Sequence, residues 1–194
     1  MKQKKKIFIL LGHPNSDSFC GSLFHAYIAG AKSGGHEIKT LELEHMNFEM
    51  NLKKGYKEIM ELEPCLKEFQ ENIQWANHIV FIFPTWWVTF PGKLKGLFDR
   101  AILPGFGFHY HKTDPLWDRL LKGKSARLIT TMDGPKFTYK FFGSPGIKAI
   151  KYGVLMFCGI NPVRTTICAR LKSRNEKGKK SWIEKINRFG KKGL

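Results

Sequence analysis

Residues Phe81 to Tyr110 read FIFPTWWVTFPGKLKGLFDRAILPGFGFHY and decide the fold. The apolar residues before Pro84 predict a buried parallel strand, and Pro91 predicts the first turn of the helix that follows it. Trp86 and Trp87 fall between the two, at the carboxyl end of the strand. Ligands of open parallel sheets bind beyond the carboxyl ends of the strands. The two tryptophans therefore indicate a site for a flat ligand, the alternative being that both pack in the core.

Strand and helix signals alternate along the rest of the chain, and strands separated by helices are typical of parallel sheets covered on both faces. The strands are predicted at Ile7–Leu11, His36–Leu43, Ile79–Phe83, Ser125–Thr131 and Val163–Cys168. The helices are predicted at Phe19–Ser33, Pro64–Asn77, Pro91–Ala101, Trp117–Leu121, Pro145–Phe157 and Glu176–Phe189. We expect one α/β domain over residues 1–194, a three-layer sandwich around a five-stranded, mainly parallel sheet.

Charge and cysteine content limit the classes of partner. The formal net charge is +17, but much of it lies at the two ends, in Lys2–Lys6 and Lys172–Lys192, rather than in a groove with aromatic residues. We therefore expect no nucleic-acid partner. The four cysteines form no CxxC pair, which predicts reduced thiols in a cytoplasm and no metal site. The five apolar residues of Ile7–Leu11 are too short for a signal peptide, and no apolar run is long enough to span a membrane.

The loop after the first strand, GHPNSDSF from Gly12 to Phe19, leads into a helix whose N-cap is predicted at Ser18. Free backbone N–H groups at a helix start bind phosphate, and the hydroxyls of Ser16 and Ser18 and the imidazole of His13 add further donors. The loop matches neither a G-x-G-x-x-G turn nor a Walker loop. The alternative interpretation is an ordinary capped helix.

Three loops leave the carboxyl ends of neighbouring predicted strands: this loop, the tryptophan segment and Thr130–Pro135. Their convergence would place a phosphate at one end of a crevice and an aromatic ring at the other. Backbone N–H groups after Pro84 and from Asp133 and Gly134 are expected to bond the edge of the ring. Together these features predict a flavin site.

The chain resembles the NAD(P)H:quinone oxidoreductase family, a flavodoxin-like group that includes DT-diaphorase, the modulators of drug activity and the ancillary oxidoreductases of potassium efflux systems. The resemblance runs from about Lys5 to Ile167. FPTWWVTFPGKLKGLFDR and PGFGF, between Phe83 and Phe108, carry it most specifically, and GHPNSDSF and TTMDGP are similar to the other two flavin loops of the family.

The resemblance implies a flavodoxin-like fold and a role for each matching residue. It assigns the phosphate and ribityl contacts to His13, Ser18, Phe19 and Cys20, and the lining of the isoalloxazine to Pro84, Thr85, Trp86, Trp87 and Val88. A second ring-edge loop falls at Thr131, Met132, Asp133 and Gly134. Tyr139 lies near the active-site tyrosine of the family, whereas the histidine that follows it in DT-diaphorase has no counterpart before the next predicted helix.

The implied activity is flavin-dependent hydride transfer from NAD(P)H to a quinone by a ping-pong mechanism, in a cytoplasmic homodimer. The cofactor is expected to be FMN, with FAD possible. The alternative is a regulatory or ancillary flavin-binding subunit of a membrane transporter, whose basic ends contact the membrane surface or an acidic partner. A flavodoxin-type electron carrier is disfavoured because such carriers are usually acidic.

Overall fold

The computed structural model describes residues 4–58 and 60–194. Its strands are β1 (Lys6–Leu11), β2 (Glu37–Glu42), β3 (His78–Pro84), β4 (Phe108–Tyr110), β5 (Trp117–Arg119), β6 (Ser125–Thr131) and β7 (Val163–Cys168). Its helices are α1 (Phe19–Ser33), α2 (Pro64–Trp75), α3 (Gly92–Ala101), α4 (Lys136–Phe141), α5 (Pro145–Lys148) and α6 (Glu176–Lys192), with a π-helical segment at Ala149–Met156 and 3₁₀ turns at Leu43–His45 and Gly55–Lys57. Within the described ranges, no helix is both long and apolar enough to cross a membrane.

Five strands form one parallel sheet in the order β2-β1-β3-β6-β7, which confirms the predicted fold class. Successive β1 side chains enter opposite layers: Ile7 and Ile9 pack with α1 and α6, and Phe8 and Leu10 pack with α2 and α3. The strand order reverses direction between β1 and β3. A crevice is expected at the carboxyl ends of those two strands because the connections leave them in opposite directions.

Two glycines let α1 and α6 lie against each other. A Cβ atom added to Gly30 on α1 would collide with the carbonyl oxygen of Asn187, and one added to Gly190 on α6 would collide with that of Tyr27. The Asn187 side chain also donates a hydrogen bond to the carbonyl of Ala26 at 3.2 Å. Backbone contact between the helices thus fixes α6, and with it the sequence after β7, against the helix that follows β1.

The structure corrects two predicted helices. Residues 117–121 do not form a helix: Trp117–Arg119 is β5, which pairs antiparallel with β4. The Trp117 ring stacks on Phe157 at 4.4 Å and its Nε1 donates to the Phe157 carbonyl at 2.8 Å, so a tertiary contact determines this segment. The predicted Pro145–Phe157 helix is α5 followed by the π-helical segment, and α4 lies in a stretch for which no helix was predicted.

Candidate functional site

A cleft of about 190 Å³ opens at the carboxyl ends of the central strands, where the topology predicts a crevice. Its walls come from the loops after β1, β3, β6 and β7. The residues that line it are His13, Ser18, Phe19, Cys20, Pro84, Thr85, Trp86, Thr131, Met132, Asp133 and Leu171. The structure thus brings most of the predicted cofactor-binding residues to one place, although they come from separate parts of the chain.

One end of the cleft is the N-terminus of α1. Ser18 is the N-cap, and its Oγ accepts the N–H of Gly21 at 3.2 Å. The hydroxyl proton of Ser18 remains available to a ligand, as do the N–H groups of Phe19 and Cys20 in the first turn of the helix. No acidic side chain lies in that first turn. This end therefore favours a phosphate.

His13 enters the same end as a neutral donor. Its Nδ1 accepts the N–H of Asn15 at 3.0 Å, so the proton of the neutral ring must sit on Nε2. Burial lowers the pKa of His13 below its usual value of 6.5. The ring meets Trp86 edge to face with the centroids 5.6 Å apart. At neutral pH the imidazole therefore supplies a hydrogen bond rather than a positive charge.

A tight turn at Trp86–Thr89 forms another wall of the cleft, next to His13. Trp87 and Val88 both adopt the left-handed region, with φ of 48° and 56°, which is unfavourable for a β-branched residue. Trp86 is 45% exposed and Trp87 is 96% exposed, so neither packs in the core. Such strain and exposure are typical of functional turns. The turn holds a flat indole at the mouth of the cleft.

The backbone N–H groups directly after Pro84 were expected to bond the edge of the ring, and two of them do not face the cleft. The N–H of Thr85 is bonded to the carbonyl of Thr131 at 2.7 Å, and that of Trp86 to the carbonyl of Thr89 at 3.2 Å. Both groups therefore hold the loop together instead of facing a ligand. Trp87 and Val88 occupy the next two positions of the turn. Among the described residues, no backbone carbonyl accepts the N–H of either one. These two N–H groups remain for the ring edge.

Cys20 is a buried wall residue without the properties of a nucleophile. Its Sγ lies 3.2 Å from the Oγ1 of Thr131. Burial raises the pKa of the Cys20 thiol to about 12, although the contact with Thr131 opposes the shift. Since the thiolate is the reactive form, Cys20 stays protonated and fills space beneath a ligand.

Four predicted cofactor residues lie outside the lining: Ser16, Trp87, Val88 and Gly134. Ser16 turns away, since its hydroxyl donates to Glu42 and its N–H to Glu44, both at 2.5 Å. The other three flank the cleft on its two ring-edge loops. The carbonyl of Gly134 accepts the N–H of Arg170 at 3.3 Å.

Tyr139, the predicted catalytic residue, is also outside the lining and is 1% exposed. Its hydroxyl accepts the N–H of Ile147 at 3.1 Å, which ties α4 to α5. Burial raises the pKa of the phenol above its usual value. In this arrangement the hydroxyl is part of a local structural contact, and a catalytic role for it remains a prediction.

Leu171 is the lining residue that the sequence interpretation missed. It follows β7, and its N–H donates to the carbonyl of Met132 at 3.2 Å. The rule that placed the other three loops at this edge applies equally to the loop after the fifth strand. That rule would have found the loop, though not which of its residues faces the cleft.

Comparison with known proteins supports this geometry. A family model described as a flavodoxin-like fold matches residues 5–192. The ribosyldihydronicotinamide dehydrogenase [quinone] of Mus musculus is 27% identical over 218 residues, covering 96% of this chain and 93% of that protein.

Two solved structures are similar in fold. An NAD(P)H:quinone oxidoreductase from Methanothermobacter marburgensis superposes with a TM-score of 0.85 at 22% identity, covering 99% of this chain and 100% of that one. An FMN-dependent NADH-azoreductase from Bacillus anthracis, in complex with FMN, does so with a TM-score of 0.78 at 18% identity, covering 98% of each chain.

Proposed function

This chain belongs to the flavodoxin-like family whose model matches residues 5–192, and we propose that it is a flavin-dependent NAD(P)H:quinone oxidoreductase. The observation that carries the proposal is the cleft, which combines a helix start suited to phosphate with His13 and the neighbouring Trp86 turn. The quinone dehydrogenase relative, which matches along nearly the whole chain, supports the same activity.

FMN fits the residues present. Ser18, the first turn of α1 and the Nε2–H of His13 would hold its phosphate, since all three offer hydrogen-bond donors. Trp86, Pro84 and Thr85 would lie against the ring, and the N–H groups of Trp87 and Val88 would reach its edge. FMN would meet both the phosphate donors and the residues placed at the ring, so we favour it over FAD.

Bound FMN would supply the two-electron chemistry that carries a hydride from NAD(P)H to a quinone. The chain itself binds and orients. The nicotinamide and the quinone would occupy the same position over the ring in turn, as a ping-pong mechanism requires. The exposed indoles of Trp86 and Trp87 would exclude water from that position. The Tyr139 hydroxyl accepts the N–H of Ile147 and keeps its own proton to donate, but the side chain is buried, so it would take part only after local movement of α4.

We also propose that the protein acts as a homodimer. Large aromatic side chains are exposed around the mouth of the cleft and on α4 and the π-helical segment, and such surfaces are commonly covered by a partner. These side chains are Trp86, Trp87, Phe141, Phe142 and Tyr152. A cleft of about 190 Å³ is also smaller than the roughly 300–1,000 Å³ of typical ligand sites, and a second subunit would enlarge its walls.

The four cysteines are unpaired, three of them buried, which supports a reducing compartment. We therefore propose a cytoplasmic location, where NAD(P)H is available, and one domain over residues 1–194.

The test is a spectroscopic titration of the purified protein. The visible spectrum is recorded, NADPH is added without oxygen, and menadione follows. We expect yellow absorbance that bleaches with NADPH and returns with menadione, and mass analysis of the released flavin identifies FMN. Bound flavin that NADPH and NADH both fail to bleach would favour the regulatory subunit instead. A protein that takes up no flavin after reconstitution would refute the proposal.

A further inference from the structure

A second groove of about 500 Å³, here called the basic groove, runs beside β7 between α4 and α6. Four cations line it, together with two aromatic rings. These are Lys136, Lys140, Arg170 and Arg174, with Phe137 and Trp182. A smaller depression lined by Arg170, Ser173, Arg174, Asn175 and Gly178 adjoins it, so the two arginines stand between the two concavities.

The charge of the basic groove is not neutralised by the protein. No Asp or Glu is among the described residues that line it. The carboxylates nearby in sequence have other partners: Asp133 pairs with Lys172 at 3.2 Å, and Glu176 with Lys179 at 2.8 Å. Across residues 4–58 and 60–194, none of the four lining cations forms an ion pair within 4 Å. A groove of this kind attracts anions.

Two buried donors in the basic groove have no acceptor within the described part of the chain: Nε of Arg174 and Nε1 of Trp182. The Arg174 guanidinium lies over the Trp182 ring, 5.6 Å from its centroid, which positions the cation at the wall of the groove. Arg170 adopts a left-handed backbone with φ of 61°, which is unfavourable for arginine. The strained backbone holds this guanidinium at the groove.

The basic groove continues the cleft. The N–H of Arg170 donates to the carbonyl of Gly134, and the N–H of Leu171 to that of Met132, so the loops after β6 and β7 form one wall. Met132 and Leu171 face the cleft on one side of this wall, and Arg170 faces the basic groove on the other. A ligand that begins over the cleft and carries phosphates at its far end would span both.

We propose that the basic groove binds the ADP half of NADPH, with its 2′-phosphate between Arg170 and Arg174, and that the protein consequently prefers NADPH to NADH. The inference rests on the proposed function, in which NAD(P)H is the hydride donor. Arginine forks match phosphate oxygens in pairs, and Phe137, 67% exposed, offers a ring face on which adenine stacks. NADH lacks the 2′-phosphate and leaves both arginines unpaired.

The test is calorimetric binding of adenosine 2′,5′-bisphosphate and of 5′-AMP to the purified protein, which needs no turnover. We expect the bisphosphate to bind about tenfold more tightly than AMP, and the difference to shrink as salt is added. Arg170→Gly removes one guanidinium while suiting the positive φ, so the variant folds at least as well as the parent. It and Arg174→Ala should each abolish most of the difference.

Arg188→Ala is the matched control, because Arg188 is an exposed arginine on α6 outside the basic groove. It should bind the bisphosphate as the parent does. Equal affinity for the bisphosphate and AMP, or no effect of Arg170→Gly and Arg174→Ala, would overturn the inference.

The two proposals fail separately. If the bisphosphate binds as expected but NADPH bleaches no bound flavin, the proposed nucleotide site in the basic groove is supported and the proposed quinone reduction is refuted. If quinone is reduced with equal KM for NADH and NADPH, and Arg170→Gly leaves both unchanged, the oxidoreductase stands and the basic groove does not. We expect Arg170→Gly to raise the KM for NADPH about tenfold with kcat unchanged.

Discussion

The main chains of Trp86 and Thr89 are hydrogen-bonded in both directions, with the N–H of Thr89 2.9 Å from the carbonyl oxygen of Trp86 and the N–H of Trp86 3.2 Å from that of Thr89. This closed pair forces the two residues between them into the left-handed region. Asn and Gly normally occupy such turns. Here Trp87 and Val88 do so, and Val88 is strained most because it is β-branched.

Val88→Gly should relieve this strain. A left-handed β-branched residue costs about 1–3 kcal/mol, and the added flexibility of glycine in the unfolded chain offsets part of the gain. We expect the free energy of unfolding in urea to rise by about 1 kcal/mol. Thr89→Gly is the control: Thr89 has no positive φ, so glycine there should lower stability. Two variants that are equally destabilised would show that the turn is unstrained.

His13→Ala should weaken FMN binding about tenfold, because a hydrogen bond from Nε2–H to a charged phosphate is lost. His13→Gln, which keeps a donor, should recover part of the affinity. Burial holds the pKa of His13 below 6.5, so the imidazole is neutral from pH 7 to pH 8 and the parent Kd should not change over that range. Fluorescence titration of FMN measures all three. An unchanged Kd in His13→Ala would place the phosphate elsewhere.

Gly190→Ala should separate α6 from α1. The added Cβ meets the backbone of Tyr27 and Ala31, which cannot move aside as a flexible side chain would. Overpacking of this kind costs about 1–3 kcal/mol, measured by thermal or urea unfolding. Gly153→Ala provides the comparison, because nothing lies within 4 Å of the Cβ built there. Equal stability of the two variants would mean that α1 and α6 can accommodate an added methyl group at their contact.

Glu63→Gln should destabilise the protein because it leaves a buried cation without its carboxylate partner. The Arg100 side chain is 1% exposed and its Nη2 lies 2.8 Å from Oε2 of Glu63. Removing the carboxylate charge leaves the guanidinium uncompensated, which we expect to cost about 3 kcal/mol in urea unfolding. Glu61→Gln, which breaks only the exposed 3.5 Å pair with Lys67, should cost less than about 0.5 kcal/mol. If Glu63→Gln lowered the free energy of unfolding as little as Glu61→Gln does, the buried Arg100 guanidinium would not need the charge of Glu63.

Glu63 also makes the free energy of unfolding depend on pH in the acidic range. Burial by itself would raise its pKa, but the N–H of Glu49 and the guanidinium of Arg100 outweigh burial and lower it. A carboxyl whose folded pKa is lowered stabilises the protein above its unfolded pKa, and this contribution disappears as the pH falls through the folded value. The gap between the parent and Glu63→Gln should therefore narrow below about pH 4.

His78 should make stability depend on pH nearer to neutrality. Burial, followed by the charges of Lys5, Arg127 and Arg164, lowers its pKa from 6.5 to about 3. Below pH 6.5 the unfolded chain then binds a proton at His78 that the folded chain does not bind. The free energy of unfolding therefore decreases as the pH is lowered. From pH 7 to pH 5 the parent should lose about 2 kcal/mol more than His78→Gln. Parallel pH profiles of the two proteins would show that His78 titrates normally when folded.

The parallel sheet was predictable because its strands are short apolar runs bounded by loops. Ile79–Phe83 is buried along its whole length, and its continuous apolar run located it within β3. Trp117 shows where this method fails. Its neighbours fit a helix locally, but the stacking of its ring on Phe157, 40 residues away, selects a strand. Contacts between distant residues cannot be read from a local pattern.

The cleft was predictable to the extent that it depends on strand ends. The rule for parallel sheets located the segments of His13, Trp86 and Thr131 because each follows a strand directly. It did not give side-chain direction. Ser16 faces Glu42 at the end of β2 and Glu44 just after it, whose positions depend on the sheet register, and the bond of Tyr139 to Ile147 depends on the contact of α4 with α5.

The wall that Met132 shares with Leu171 has a consequence for biosynthesis. The cleft takes its lining from residues as far apart as His13 and Leu171, and the loop after β7 is held by its bond to the loop after β6. A nascent chain shorter than about 171 residues therefore lacks one side of the cleft, even with β1, β3 and β6 already paired. The complete cleft thus forms late in translation or after it.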